Sequence, residues 1–153
     1  MTQTPATVFI AEARFYGDLA DELYKGAIAT LESANVAHQR VEVAGALELP
    51  AAIGFAARTG LFEGFIALGC VIRGQTTHYD EVCRETARGL MDLSLNPGLC
   101  IGNGVLSVEN KEQAWVRASI ADRNKGGFAA HACLTMMALR KDLALLEKAG
   151  TNT

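Results

Sequence analysis

The chain has 153 residues, 50% of them hydrophobic and 20% charged, which predicts one globular domain spanning residues 1–153. A net charge of -3, without any run of lysines or arginines, argues against a nucleic-acid partner, because little positive charge is available to neutralise phosphates. The N-terminal sequence lacks the pattern of a signal peptide, and no window approaches the ~20 apolar residues of a membrane span, so we expect a cytoplasmic protein with no membrane partner.

Strand-like and helical segments alternate from the start of the chain. TVFIAEA, at Thr7–Ala13, predicts a first strand, and HQRVEVAGA, at residues 38–46, predicts a second, shorter one. Between them, Asp18 is a suitable cap for a helix that ends near Asn35. One face of that helix carries apolar side chains at three- and four-residue spacing, namely Leu19, Leu23, Ala27, Ile28 and Leu31.

The middle of the chain contains its most apolar run. Pro50 suits the first turn of a helix that continues to Arg58. GFIALGCVI, at Gly64–Ile72, is continuously apolar, as expected of a strand covered on both faces, and we predict that it lies at the centre of the sheet.

The second half repeats the alternation. Residues 79–95 predict an amphipathic helix, NPG at 96–98 predicts a turn, and residues 99–108 predict a fourth strand. A short helix over 111–119 and a longer one over 128–148 follow, with Gly150 as the expected terminator.

This order of elements predicts an α/β fold, a three-layer α/β/α sandwich of the flavodoxin-like kind, with a four-stranded parallel sheet and helices on both faces. Such sheets bind ligands at the carboxyl ends of their strands. The loops that follow the four strands read ARFYGD, AGALELP, RGQTTH and SVENKEQ, and they hold most of the chain's unusual polar and aromatic groups. We therefore expect the site at this edge of the sheet.

The cysteines and histidines give no sign of a metal site. None of the cysteines forms a CxxC pair or has a histidine at metal-ligand spacing, and the three histidines are scattered. We expect reduced, largely buried thiols at Cys70, Cys83, Cys100 and Cys133.

Five short motifs occur in the order found in the lumazine synthase family, which the chain resembles over nearly its whole length. They are ARF at 13–15, GALELP at 45–50, GCVIRGQTTHYD at 69–80, GVLSVEN at 104–110 and NKG at 124–126. The resemblance implies condensation of 5-amino-6-ribitylaminouracil with 3,4-dihydroxy-2-butanone 4-phosphate to give 6,7-dimethyl-8-ribityllumazine, the penultimate step of riboflavin synthesis. It also implies small-molecule substrates and no cofactor, with catalysis by positioning and proton transfer.

The stretch after the third predicted strand has the chemistry of an anion site. Gly74, Gln75 and Thr76 lie where a strand turns into a helix, and their N–H groups and hydroxyl are suited to a phosphate at the positive helix end. His78 follows, and an imidazole with an ordinary pKa near ~6.5 exchanges protons at neutral pH. The resemblance makes His78 the catalytic proton carrier; without it, a histidine that merely caps the helix is the more common interpretation.

Further site residues are implied by the resemblance alone. Phe15 would stack on the pyrimidine, Arg117 would bind the phosphate, and Lys125 would be a second cation. The ribityl chain and the ring would be bordered by Ala46, Leu47, Glu48, Val71 and Ile72. Without the family, a core position and a binding role for Phe15 are equally good interpretations, and the residue types alone indicate a surface charge at Glu48 and a solvated side chain at Arg117.

One position departs from the family pattern. Asn103 stands where bacterial relatives commonly place a phenylalanine against the heterocycle, which would cost of order 1 kcal/mol of stacking. This leaves an alternative function, a weakly active paralogue that binds flavin or lumazine. The GNG at 102–104 lacks the third glycine of a dinucleotide fingerprint and lies inside a strand, so we set that interpretation aside.

The resemblance also implies assembly. Each site would lie between neighbours in a ring of five, with Phe15, Glu48 and His78 from one copy and Asn103, Arg117 and Lys125 from the next. Residues 119–124 lack the GTKAGN-like turn of shell-forming members, so we expect a free pentamer in preference to paired rings or a shell.

Overall fold

The computed structural model describes residues 6–151. In this part of the chain strands and helices alternate as the sequence predicts. In order they are β1 (Thr7–Ala13), α1 (Gly17–Ser33), β2 (Ala37–Val43), a 3₁₀ turn (Ala46–Glu48), α2 (Leu49–Arg58), β3 (Gly64–Ile72), α3 (His78–Leu95), β4 (Ile101–Val108), α4 (Lys111–Ala118) and α5 (Lys125–Thr151).

The four strands form one parallel sheet in the order β2-β1-β3-β4. Strand β3 is an inner strand, between β1 and β4, and residues 64–69 are buried. A strand with neighbours on both sides and helices above and below requires apolar side chains in both directions, which explains its unbroken run of apolar residues. The prediction of a three-layer α/β sandwich is confirmed.

Side chains of each inner strand alternate between two cores. Val8 and Ile10 of β1 face a cluster built with α1, α4 and α5, whereas Phe9 and Ala11 face a second cluster built with α2 and α3. Because successive strand residues point to opposite faces, one strand serves both layers. Because the four strands are parallel, their carboxyl ends lie at the same edge of the sheet.

The ends of the elements follow the predictions closely, with small shifts. Strands β1 and β3 have the predicted bounds, and Pro50 lies in the first turn of α2, as expected. The prediction that Asp18 caps α1 is wrong. The helix begins at Gly17, and the N–H of Ala20 donates to the carbonyl of Tyr16, which occupies the cap position without a side-chain cap.

Helix α5 is longer than predicted at both ends. It begins at Lys125 because Asn124 precedes it as a cap, accepting the N–H of Gly127 on Oδ1 at 3.1 Å and that of Phe128 on its carbonyl at 2.9 Å. The prediction that Gly150 ends it is also wrong, since the helix continues to Thr151. None of the helices formed by residues 6–151 combines the length and apolar character needed to cross a membrane.

Candidate active site

A cavity of about 440 Å³ lies at the carboxyl ends of β1 and β3. Its walls come from the ends of these strands, the loop and 3₁₀ turn after β2, and the start of α3. It brings together seven of the residues that the sequence suggests for the site, namely Phe15, Ala46, Leu47, Glu48, Val71, Ile72 and His78. The topology explains this grouping, because parallel strands end at the same edge.

Phe15 projects from the turn that joins β1 to α1. Its side chain is 79% exposed, so it is not a core residue, and its ring meets the ring of Tyr16 edge to face at 4.9 Å between centroids. An exposed aromatic at the mouth of a cavity has a free face for a flat ligand.

The 3₁₀ turn places two different side chains at the cavity. Leu47 is 46% exposed, and Glu48 is exposed, with its N–H donating to the carbonyl of Gly45 at 3.2 Å. The Glu48 carboxylate forms no ion pair or hydrogen bond with another residue of the described chain. It is therefore available to accept hydrogen bonds from a polyol.

His78 is the first residue of α3 and is exposed. Its backbone N–H donates to Oγ1 of Thr76 at 3.3 Å, and its ring has no hydrogen-bond partner among residues 6–151. Thr77, and not His78, occupies the cap position, and its side chain makes no capping bond. The imidazole is thus open to a ligand in the cavity.

The loop before α3 exposes Gly74, Gln75 and Thr76, although these three residues do not line the cavity itself. A Cβ at Gly74 would meet no atom of the described residues within 4 Å, so packing within that part of the chain does not require glycine there. A residue without a side chain next to a helix N-terminus leaves the backbone accessible to an anion.

Arg73 links this loop to the residue that follows β4 and to the start of α3. Its Nε donates to Glu109 at 2.8 Å, its Nη1 lies 3.3 Å from a carboxylate oxygen of Asp80, and its guanidinium lies over the Tyr79 ring at 4.2 Å. The hydrogen bond with Glu109 is the largest cause of the raised pKa of Arg73. Arg73 consequently offsets the acidic charge at the start of α3.

A second cavity, of about 340 Å³, lies where α4, α5 and the edge strand β4 meet. It holds Arg117 and Lys125, as the family resemblance suggests, together with Arg123. Arg117 donates to the carbonyl of Gln113 at 3.0 Å, and Lys125 lies over the Phe128 ring at 4.6 Å. None of the three cations forms an ion pair with a described residue, which favours an anionic ligand.

Sequence reasoning missed Arg123. The only available signal was a third cation two residues before Lys125, in the turn between α4 and α5. A lone arginine in a turn has no motif, and its place in a cavity depends on how the two helices pack.

Within residues 6–151, the two cavities share no lining residue. Asn103, on the edge strand β4, lines neither; it is exposed, and its Oδ1 accepts the N–H of Val105 at 2.9 Å. Phe15, Glu48 and His78 line the first cavity and Arg117 and Lys125 line the second, which matches the division between neighbouring copies that the resemblance implies for these five residues.

All four cysteines are free, and Cys70 lines the first cavity. Burial, and secondarily the nearby Cys83, raises the pKa of Cys70 to about 11. Its thiol is therefore protonated at neutral pH and is not a nucleophile. No group of three or more His, Cys, Asp or Glu side chains within residues 6–151 is placed to hold a metal ion.

Comparison with known proteins agrees with the motifs. The family model for 6,7-dimethyl-8-ribityllumazine synthase matches residues 5–141. The protein of that name from Bartonella tribocorum is 53% identical over 135 residues, 88% of this chain and 89% of its own length. The protein of that name from Bartonella henselae is 49% identical over 94% of this chain and 94% of its own length. The one from Agrobacterium fabrum is 52% identical over 89% of this chain and 95% of its own length. The chain belongs to the 6,7-dimethyl-8-ribityllumazine synthase family.

Proposed function

We propose that the chain is a lumazine synthase, an enzyme that condenses 5-amino-6-ribitylaminouracil with 3,4-dihydroxy-2-butanone 4-phosphate to form 6,7-dimethyl-8-ribityllumazine. The observation that carries this is the match of the family model over residues 5–141, together with a cavity that holds seven of the suggested site residues at the expected edge of the sheet. The proposal places the protein in the cytoplasm.

The reaction needs ordered substrates and proton transfers. The amine of the pyrimidine attacks the ketone and water leaves as a Schiff base forms; inorganic phosphate is then eliminated, and ring closure releases a second water. The exposed imidazole of His78, which has no partner in the described chain, is the group we assign to these proton transfers.

The first cavity is assigned to the pyrimidine and its ribityl chain. Phe15 offers an exposed ring face for stacking, and Glu48 offers the ribityl hydroxyls a carboxylate that is not paired with any described residue. Ala46, Leu47, Val71 and Ile72 supply walls and backbone groups around them. Holding the amine close to the ketone replaces an encounter in solution by an intramolecular one.

The phosphate is assigned to the loop Gly74, Gln75 and Thr76 on one side and to Arg117 on the other, with Lys125 and Arg123 as further cations. The support is the exposed loop at the helix N-terminus and the three cations in the second cavity, none of which has a carboxylate partner among residues 6–151. Asn103 is assigned to the same side as Arg117, where it leaves the pyrimidine without a second aromatic ring.

A second copy of the chain is needed to join these two groups. We propose a ring of five, with the first cavity of each copy completed by the second cavity of its neighbour. Light scattering of the purified protein should give the mass of five chains. A mass of ten or sixty chains would overturn the free ring, although not the pairing of cavities.

The activity is tested by mixing both substrates with the full-length protein and following lumazine fluorescence above the slow uncatalysed condensation. A rate well above background, saturable in both substrates, is expected. A rate equal to background would overturn the proposal, and retained lumazine binding in that case would favour the binding paralogue.

A further inference from the structure

Glu12 is a buried carboxylate for which the proposed chemistry has no use. It lies in β1, its side chain is 2% exposed, and cations approach it from two sides. Arg40 of β2 donates from Nε at 2.7 Å and from Nη2 at 3.1 Å, and Arg14 donates from Nη1 at 3.1 Å. A buried charge of this kind persists because it is paired on both sides.

Arg14 does more than neutralise Glu12. Its other terminal nitrogen donates to the exposed carboxylate of Asp21, one turn into α1. The guanidinium therefore spans the turn between β1 and α1, from the sheet interior to the helix surface. The bond to Asp21 is the largest cause of the raised pKa of Arg14, and the charge of Glu12 adds to it.

Phe15 is carried by the turn that Arg14 spans. Because its side chain is 79% exposed, little packing holds the ring in place. Its orientation depends on the backbone between Ala13 and Gly17 and on the edge-to-face contact with Tyr16. A residue that fixes this backbone consequently fixes the direction in which the ring faces the cavity.

We propose that Arg14 is a positioning residue: by bridging Glu12 and Asp21 it holds the β1–α1 turn so that Phe15 presents its face to a flat heterocyclic substrate in the first cavity. The inference rests on the proposed function and deepens it, since it assigns part of the recognition of the pyrimidine to a side chain that does not line the cavity.

The test is steady-state kinetics of Arg14→Met in the full-length protein, with each substrate varied in turn. The KM for the ribitylaminouracil should rise about threefold to tenfold, the range of one aromatic contact, while kcat and the KM for the butanone phosphate change less than about twofold. Arg14→Lys, which keeps the charge but not the fork, should recover part of the loss.

A second variant keeps the inference testable if Arg14→Met does not fold. Asp21→Asn alters the exposed end of the bridge and leaves the bond between Arg14 and Glu12 intact. We expect a smaller rise in the same KM, without loss of stability. An unchanged KM in both Arg14→Met and Asp21→Asn would overturn the inference.

The matched control is Arg40→Met. It removes the other cation from Glu12 but does not touch the turn, so it should lower stability and leave the KM for the pyrimidine unchanged. Equal rises of KM in Arg40→Met and Arg14→Met would mean that loss of the ion pairs simply loosens β1, and positioning would be refuted.

The Phe15→Ala background tests whether Arg14 affects the KM for the ribitylaminouracil through the Phe15 ring. In that background Arg14→Met should raise the KM no further, whereas fully additive effects would overturn the inference. An inactive wild-type chain would overturn the proposed function, and the inference with it; an active wild-type chain with unaffected Arg14 and Asp21 variants would overturn the inference alone.

Discussion

Arg40 donates two hydrogen bonds to the carboxylate of Glu12, at 2.7 and 3.1 Å, and thereby joins the edge strand β2 to the buried face of β1. Arg14 approaches the same carboxylate at 3.1 Å. We expect Arg14→Met or Arg40→Met alone to cost about 1 kcal/mol, and the double variant about 3–5 kcal/mol, because only the double leaves a buried carboxylate without a cation.

Denaturant unfolding at one protein concentration measures this difference. Adding Glu12→Gln to the double variant should recover part of the stability, since the stranded charge is then removed. Strict additivity of the two single losses would contradict this account.

Gly102 of β4 lies directly against α5. A Cβ at this position would sit 1.8 Å from the carbonyl oxygen of Ala129, a backbone atom that cannot move aside alone. Gly102→Ala should lower the free energy of unfolding by about 1–3 kcal/mol or more. The control is Gly17→Ala, where a Cβ meets no described atom within 4 Å, and a change in the free energy of unfolding within about 0.5 kcal/mol is expected. Similar losses in both variants would show that the contact with Ala129 is not the cause.

His78→Ala should lower kcat by about 100-fold or more, the usual worth of a positioned acid and base, and leave folding and assembly intact because the imidazole is exposed and without a partner in the described chain. Stopped-flow or steady-state fluorescence measures the rate, and light scattering measures the assembly. His131→Ala, on the exposed side of α5, is the matched control and should retain full activity. A kcat within twofold of wild type would remove His78 from the proton transfers.

Arg117→Ala should raise the KM for the butanone phosphate about tenfold or more and change the KM for the pyrimidine little. The variant removes from the second cavity a guanidinium that has no carboxylate partner in the described part of the chain. Inorganic phosphate should inhibit this variant less strongly than wild type. Arg88→Ala, whose guanidinium pairs with Glu85 and Asp92 on the surface of α3, is the control. An unaltered requirement for the butanone phosphate would show that Arg117 does not bind it.

Cys70 should react slowly with iodoacetamide in the native protein. Burial is the main cause that raises its pKa to about 11, so at pH 8 only about 0.1% is thiolate, against roughly 10–25% for an ordinary thiol. Labelling should accelerate about tenfold for each pH unit up to about 11, and unfolding should restore ordinary reactivity. Peptide mass spectrometry of native and unfolded samples measures this, and rapid native labelling at pH 8 would contradict the raised pKa.

Much of the fold is predictable because its signals are local. Strand β1 follows from a mostly apolar stretch, and strand β3 follows from an unbroken apolar run that the charged Arg73 closes. The start of α5 was missed because Gly126 and Gly127 are poor helix formers. They are helical because α5 packs closely on α1: a Cβ at Gly126 would lie 2.0 Å from the carbonyl oxygen of Leu23. Packing across distant elements decides such positions.

The candidate site also contains residues that were predictable from the sequence and residues that were not. The loops that form the first cavity were predictable, since they follow parallel strands whose ends must meet. Arg123 and Glu12 were not, because a turn arginine and a strand glutamate acquire their surroundings only when distant elements come together.

In the proposed ring, the first cavity of one copy works only with the second cavity of its neighbour, so each catalytic turnover requires two associated chains. A chain that folds correctly but cannot associate would be inactive, although it retains all of the proposed site residues. Substitutions at the interface between copies would then lower the rate as substitutions of catalytic residues do. The activity per chain would also fall on dilution, because the rings dissociate.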